Sequence, residues 1–355
     1  MAGPTVPGLD DAEVLSRTTR VADELLYPRA DETAREGVPR GHLDALAAAG
    51  ALGLATRAPA LLRQATEIIS AADGATWFVY AQHHQPVRAV AGSPNQALRD
   101  RWLTPLLTGR ALSGHAISHL ARPGPPAVTA TPGARGGWAL NGRIAWLTGW
   151  GLADVVLVGA LAPDDRVLFA LLPAEDLDSP RAAVHRHTLW SMHATHAVAV
   201  DLNDVPVGRD QVVSMSRHAD WLRAHLNHNA NTHPAVFGCL RATSRFLERY
   251  ETFKAWSDSA KLRAEQLRSR AYGLIDTRPP GEAIDDRLAT RAAAVDLALR
   301  TAAACVAAAG AGSMCSDTTA ARLMAEASFH LVHSQTPQAK DAYARLTGAL
   351  GGSPC

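Results

Sequence analysis

Cysteine is scarce in this chain. There are four, Cys239, Cys305, Cys315 and Cys355, and none falls in a Cys-x-x-Cys or Cys-x-x-His pair. That spacing suggests neither a zinc site nor a disulfide framework, so no metal is expected. An excess of either charge is missing too. Lys and Arg number 35 against 34 Asp and Glu, and the net charge of +1 supplies no field to draw nucleic acid or an anionic membrane. Basic clusters such as "RAEQLRSR" (263–270) sit beside acids at helical spacing with no interleaved aromatics, the pattern of a solvated helix face. The N-terminal "MAGPTVPGLDDAEVL" lacks the basic-then-apolar order of a signal peptide. No uninterrupted run reaches the ~18 apolar residues needed to span a bilayer. These absences predict a cytoplasmic protein whose partners are neither nucleic acid nor membrane. Tryptophan is also sparse, with eight in the chain, yet three crowd into "WALNGRIAWLTGWGLADVVLVGAL" (138–161).

What is present is apolar periodicity that changes twice. Residues 9 to about 112 carry leucines and valines at three- and four-residue steps, as in "DDAEVLSRTTRVADELLYPRADETAREG", which predicts helices. From about 113 to 213 the period falls to two and turn residues become dense. "DVVLVGAL", "RVLFALL" and "HAVAVDLNDVPV" predict strands, and "WALNGRIAW" predicts a hairpin turning at Asn141-Gly142. From about 216 helical patterns return. The alanine-rich 288–312 has small residues on every face, as a helix buried in a bundle needs, and Pro337 opens a last helix. The expected organisation is an N-terminal helical domain (1–112), a middle β domain (113–213) and a C-terminal helical bundle (214–355).

Four segments in this order resemble the acyl-CoA dehydrogenase superfamily: "LNGRIAWLTGWGLADVVLVGA", "WSMHATHAVAVDLNDVPV", "THPAVFGCLRATSRFLERY" and "RLMAEASFHLVHSQTPQAKDAYARL". The resemblance covers residues 10 to about 350. It implies an N-terminal helical domain, a middle β-barrel or β-sandwich and a C-terminal four-helix bundle. It also implies FAD, with the flavin ring against the Trp-x-Thr corner. Carried onto this sequence, the cofactor contacts are Trp146 and Thr148, the Ile117 backbone and Ser118 hydroxyl, and Thr336 at a helix start. An indole can pack on a flavin face and a hydroxyl can meet its polar edge. As ordinary protein structure, the two tryptophans would be β core and Thr336 a helix N-cap before Pro337.

The chain departs from the family at three points. "AISHLARPGPP" (116–126) lacks the Gly-Ser-Asp turn that meets flavin and thioester, and "YETFKAWSD" (250–258) keeps Phe253 without the arginine that reaches the pyrophosphate. The catalytic glutamate of Tyr-Glu-Gly-Thr falls on Ser334, and the alternative glutamate position falls within Asn231-Thr232-His233. A lone serine is a poor proton acceptor. His233 is then the candidate base, with Ser334 beside it as a second catalytic candidate, and Glu326 is expected to face bundle or solvent.

Three functions follow from the resemblance. The first is an FAD-dependent oxidoreductase acting on an acyl thioester or related small molecule with a non-standard base. The second is a flavin-dependent monooxygenase on the same fold; such relatives lack the glutamate and use serine or histidine hydrogen bonds, a role that suits Ser334 and His333. The third is a non-catalytic partner subunit of a heteromeric dehydrogenase. A homodimer or tetramer is implied, with a second related subunit as the variant.

Overall fold

The computed structural model describes residues 9–133 and 136–350; Cys355 and the first eight residues of the N-terminal stretch lie outside them. The chain starts with α1 (Asp11–Val21), a π-helical turn Ala22–Leu26 and α2 (Tyr27–Glu36), which run on as one long helix. Then come α3 (Arg40–Ala48), α4 (Pro59–Ala72), α5 (Gly74–Ala91) and α6 (Gln96–Thr108). Their apolar faces close one core, with Leu26, Leu46, Leu52, Ile69, Trp77 and Tyr80 fully buried. Asp73 stops α4 and starts α5. Its carboxylate accepts from the Ala75 and Thr76 amides, which satisfies two of the helix's orphan donors.

The middle region is an eight-stranded sheet of β1 (Ser113–Ala116), β2 (Val128–Pro132), β3 (Trp138–Leu147), β4 (Val155–Leu161), β5 (Arg166–Pro173), β6 (Ala182–Arg186), β7 (Val198–Val207) and β8 (Val212–Arg217). The strand order is β6-β7-β3-β2-β4-β5-β8, with β1 parallel to β4. One face packs on itself around Ile144, Val158 and Val200, and the other packs on α5 and α6 through Leu157, Phe169 and Leu171.

Asn141-Gly142 does not form the expected hairpin. β3 runs straight through it, paired with both β2 and β7, and the register shifts by a bulge between Leu140 and Gly142. Long-range bonds override the local turn preference. The Asn141 amide donates to the Asp204 carboxylate (2.8 Å), and its carbonyl accepts from the Asp204 amide (2.9 Å). Gly142 is required at φ +121°, where a Cβ would lie 2.1 Å from the Ala127 carbonyl oxygen. Gly142→Ala should therefore lower stability by about 2 kcal/mol. Urea unfolding measures this, and a loss below a few tenths would contradict the bulge.

The C-terminal bundle comprises α7 (His218–Asn229), α8 (Pro234–Leu247), α9 (Lys254–Thr277), α10 (Ile284–Ala309), α11 (Thr319–Phe329) and α12 (Pro337–Leu350). The stretch Ile284–Met314 is long and apolar enough to cross a membrane, with a mean hydropathy of 1.5 in its most apolar window. The run-length reading misses it because Asp296 and Arg300 interrupt the run. Here α10 is the central helix of the bundle, in contact with α8, α9, α11 and α12 and burying Ala294, Ala298, Ala302 and Cys305.

Candidate functional site

Helix α5 is a wall shared by all three regions. It carries Pro86 in its interior, which removes the amide that would bond the Gln82 carbonyl. That freed carbonyl receives the Nδ1–H of His115 from β1, at 3.0 Å. The bond fixes the tautomer: with Nδ1 donating, the His115 Nε2 keeps its lone pair. Burial holds His115 below the usual histidine range. One turn away, His83 is locked in the opposite sense. Its Nε2–H donates to the Leu106 carbonyl (3.0 Å) and its Nδ1 accepts the Ser113 amide (3.1 Å). Burial lowers it to about 4.

On the bundle side, α5 presents Trp77 and Phe78 to a cluster of histidines. The Trp77 ring is 1% exposed and lies 5.3, 5.7 and 5.4 Å from the rings of His233, His330 and His333. Phe78 meets Phe329 edge-on at 4.6 Å, and Phe329 stacks on His333 at 5.2 Å. His233 is the N-cap of α8: its Nδ1 accepts the Ala235 amide at 3.2 Å, so the ring proton sits on Nε2. Burial brings His233 and His330 down to about 3, and His333 well below its ordinary value. The charged groups acting on these three rings are one another, His115, His228 and Arg291, all of them basic. Nearby His225 is lowered to about 4 by burial, with His228 and His115 next in effect. Neutral imidazoles without a carboxylate partner serve as hydrogen-bond donors and acceptors. At pKa 3, and with its acceptor nitrogen already used as a cap, His233 offers its surroundings an N–H.

Arg291 holds the loop between α11 and α12 in place. Its guanidinium is 7% exposed and donates to the carbonyls of Asn229, His333 (2.7 Å) and Ser334 (3.1 Å). Ser334, at φ +51°, is exposed, with its hydroxyl 3.4 Å from His333 Nε2. Thr336 is buried and caps α12, its hydroxyl accepting the Ala339 amide at 3.1 Å. Of the two alternatives for Glu326, bundle or solvent, it takes the interior one, 7% exposed and paired with Arg322 at 3.0 Å.

The Trp-x-Thr corner lies across α5 from this cluster. Thr148 is buried against Val79, Gln82 and His83, beside a cavity of about 10 Å³. The chain turns here because the Gly149 and Trp150 amides donate to the Thr195 and His196 carbonyls. Trp150 packs against the β core, as an ordinary strand tryptophan would. Trp146 does not: its ring is 43% exposed and lies over His187, centroids 4.3 Å apart. Ile117 is buried and Ser118 is exposed. An open indole beside a buried hydroxyl fits a planar ring. Among the described residues, no three His, Cys, Asp or Glu side chains are grouped to hold a metal ion. The sequence reading missed Trp77, His115 and Arg291 as site residues. Pro86 inside a helical pattern was the one available signal, since a mid-helix proline always frees a carbonyl.

Helices, a β sheet and a helical bundle in this order define a fold class found in flavin enzymes. The chain has the acyl-CoA dehydrogenase fold. It superposes on butyryl-CoA dehydrogenase from Megasphaera elsdenii with a TM-score of 0.76 and 16% identity, covering 98% of this chain and 100% of that one. Against a Mycobacterium smegmatis glutaryl-CoA dehydrogenase in complex with FADH2 the TM-score is 0.77 at 17% identity, over 98% and 96%. Against a dibenzothiophene monooxygenase from Paenibacillus sp. A11-2 it is 0.73 at 19% identity, over 94% and 96%. No protein-family model matches the sequence, and no curated protein matches it.

Proposed function

We propose that this chain is a flavin-dependent oxidoreductase working without a catalytic carboxylate, and that its reaction is a monooxygenation of a small molecule. The observation carrying this reading is the ring of neutral histidines around Trp77, on which only basic charges act. Removing an α-proton from a thioester asks for a base tuned near the working pH, and histidines pushed to about 3 are far from that. Orienting a polar reacting group asks only for directed N–H and O–H donors, which His233 and Ser334 supply, and for an acceptor, which His115 Nε2 supplies. Trp146 would stack on the flavin. The Thr148 side chain, the Ile117 backbone and the Ser118 hydroxyl would border its polar edge, and Thr336 would stand at the nearby helix start. FAD is the flavin proposed, and when bound it would supply two-electron redox chemistry and reaction with dioxygen. Trp77, Phe78 and Phe329 fill the space between α5 and the bundle, so a long alkyl chain has no room there.

A second reading is dehydrogenation of a short acyl thioester, in keeping with the names of two similar structures, butyryl-CoA and glutaryl-CoA dehydrogenase. In either case Trp146 faces outward, so we place the cofactor against a second copy in a homodimer or tetramer of a cytoplasmic protein. Anaerobic spectroscopy separates the readings. A yellow protein that is reduced only by an external flavin or nicotinamide donor, and then consumes oxygen, supports monooxygenation. Bleaching by a short acyl-CoA alone overturns it. So does a colourless chain that takes up flavin only with a second polypeptide, which would make it a partner subunit. Trp146→Ala should weaken flavin binding by about tenfold and leave helical circular dichroism unchanged. Unaltered flavin occupancy at limiting cofactor would remove Trp146 from the site.

A further inference from the structure

A second cavity of about 10 Å³ lies on the other side of Trp77, enclosed by α4, α5, α8 and α11 and lined by Ser70, Gly74, Trp77, Ala235, Glu326 and His330 among others. Its volume is that of a single water molecule. Two of the lining residues each carry a fully buried polar atom with no hydrogen-bond partner, Trp77 Nε1 and His330 Nδ1. Their side chains are 1% and 5% exposed. Leaving such groups unbonded costs about 1–3 kcal/mol each, so a polar occupant is required. The third polar wall is the Glu326 carboxyl. One of its oxygens is bonded to Arg322 Nη1. The other reaches Gly74, close enough that a Cβ there would lie 2.8 Å from it. Glycine at the first position of α5 is what admits the carboxyl to that helix N-terminus, where the helix dipole favours negative charge. Ser70 has no proton to give the occupant, because its hydroxyl already donates to the Thr66 carbonyl at 2.6 Å.

We infer that this cavity holds one ordered water, which accepts from Trp77 Nε1–H and donates to Glu326 and to His330 Nδ1. Glu326 is thereby a positioning residue for the histidine cluster. Three bonds is the usual number for a buried water, and the donors and acceptors match: one indole N–H against two acceptors. The consequence for the site is directional. With Nδ1 accepting, His330 keeps its proton on Nε2, as His233 does, so both rings face the cluster with the same polarity. Burial raises the Glu326 carboxyl above its ordinary value, with Arg322 opposing and Asp73 and Asp31 assisting. The other ionisable groups around the cavity are Cys239, whose thiol burial pushes up, and Arg291, His233 and His333 beside His330. The bridge stands on the cavity; its service to the reaction rests on the flavin reading above.

The test uses the full-length protein without flavin or substrate, so that its failure is separate from failure of that reading. The wild-type crystal structure at high resolution is expected to contain a water within hydrogen-bond reach of all three groups. In ¹⁵N spectra, the Trp77 indole N–H and the His330 Nδ1 should shift together with pH, with a common midpoint above the ordinary carboxylate range. The joint transition should vanish in Glu326→Gln, which keeps the side-chain volume and an oxygen for Arg322. Trp77→Phe, which removes the donor to the water together with part of the indole ring, should displace the His330 Nδ1 signal towards that of an unbonded nitrogen. A dry cavity, a joint transition that persists in Glu326→Gln, or an unmoved His330 signal in Trp77→Phe overturns the proposal.

Discussion

Lowering the pH from 7 to about 4 is expected to unfold this protein, with the steepest loss of stability below pH 6.5. His83, His233 and His330 are buried and neutral, and burial brings them to about 4, 3 and 3 from an ordinary value of 6.5. Between those limits the unfolded chain binds protons that the folded chain refuses, so stability falls as pH falls. Each such histidine contributes about 1.4 kcal/mol per pH unit. Three together give roughly 4 kcal/mol per unit, against a total of about 5–15 for a typical domain. No carboxylate is among the groups acting on His233 and His330 to offset the cost. Urea midpoints at pH 7, 6 and 5 measure the slope. His330→Gln should flatten it by about 1.4 kcal/mol per unit, and a slope identical to wild type would show that His330 protonates freely in the fold.

The second large effect is expected at Glu67, 1% exposed on α4. Its carboxylate accepts from Arg241 on α8 (2.5 Å), and from Arg268 (2.8 Å) and the Tyr272 hydroxyl (2.5 Å) on α9. The Arg63 and Arg268 guanidinium groups each lie 4.9 Å from the centroid of the Tyr272 ring. The approach of α8 to α4 that makes this possible depends on Gly238, where a Cβ would fall 2.0 Å from Ser70 Oγ. Glu67 therefore joins the N-terminal helices to the bundle. Glu67→Ala takes the acceptor from the Tyr272 phenol and the part-buried Arg268 and opens a cavity, while the half-exposed Arg241 turns to solvent, so a loss of about 2–3 kcal/mol is expected. Glu67→Gln should lose less, because the amide oxygen still accepts. An alanine variant within 1 kcal/mol of wild type would mean that solvent replaces the carboxylate at no cost.

Glu67 and Glu326 show where the sequence stops being informative. Each stands in an ordinary helical pattern beside basic residues, and nothing local distinguishes a buried acceptor from one on a solvated face. The same limit governs Asn141-Gly142. Its turn propensity is real, but Asp204 lies 63 residues away along the chain and supplies the bonds that keep the strand straight. Trp146 and Trp150 are four residues apart, one near the end of β3 and one in the turn that follows it. One is open and the other packed, because His187 and the β core respectively meet them.

By itself, the sequence determined the order of helices, sheet and bundle. Apolar period and residue type are local properties, so they can be read without knowing what lies opposite. The tertiary structure alone decided which nitrogen of His115 and of His233 carries the proton, that three histidines crowd around Trp77, and that Glu326 is interior. Those are outcomes of pairing between segments far apart in the chain. A buried donor or acceptor takes its character from whichever distant group completes its hydrogen bond.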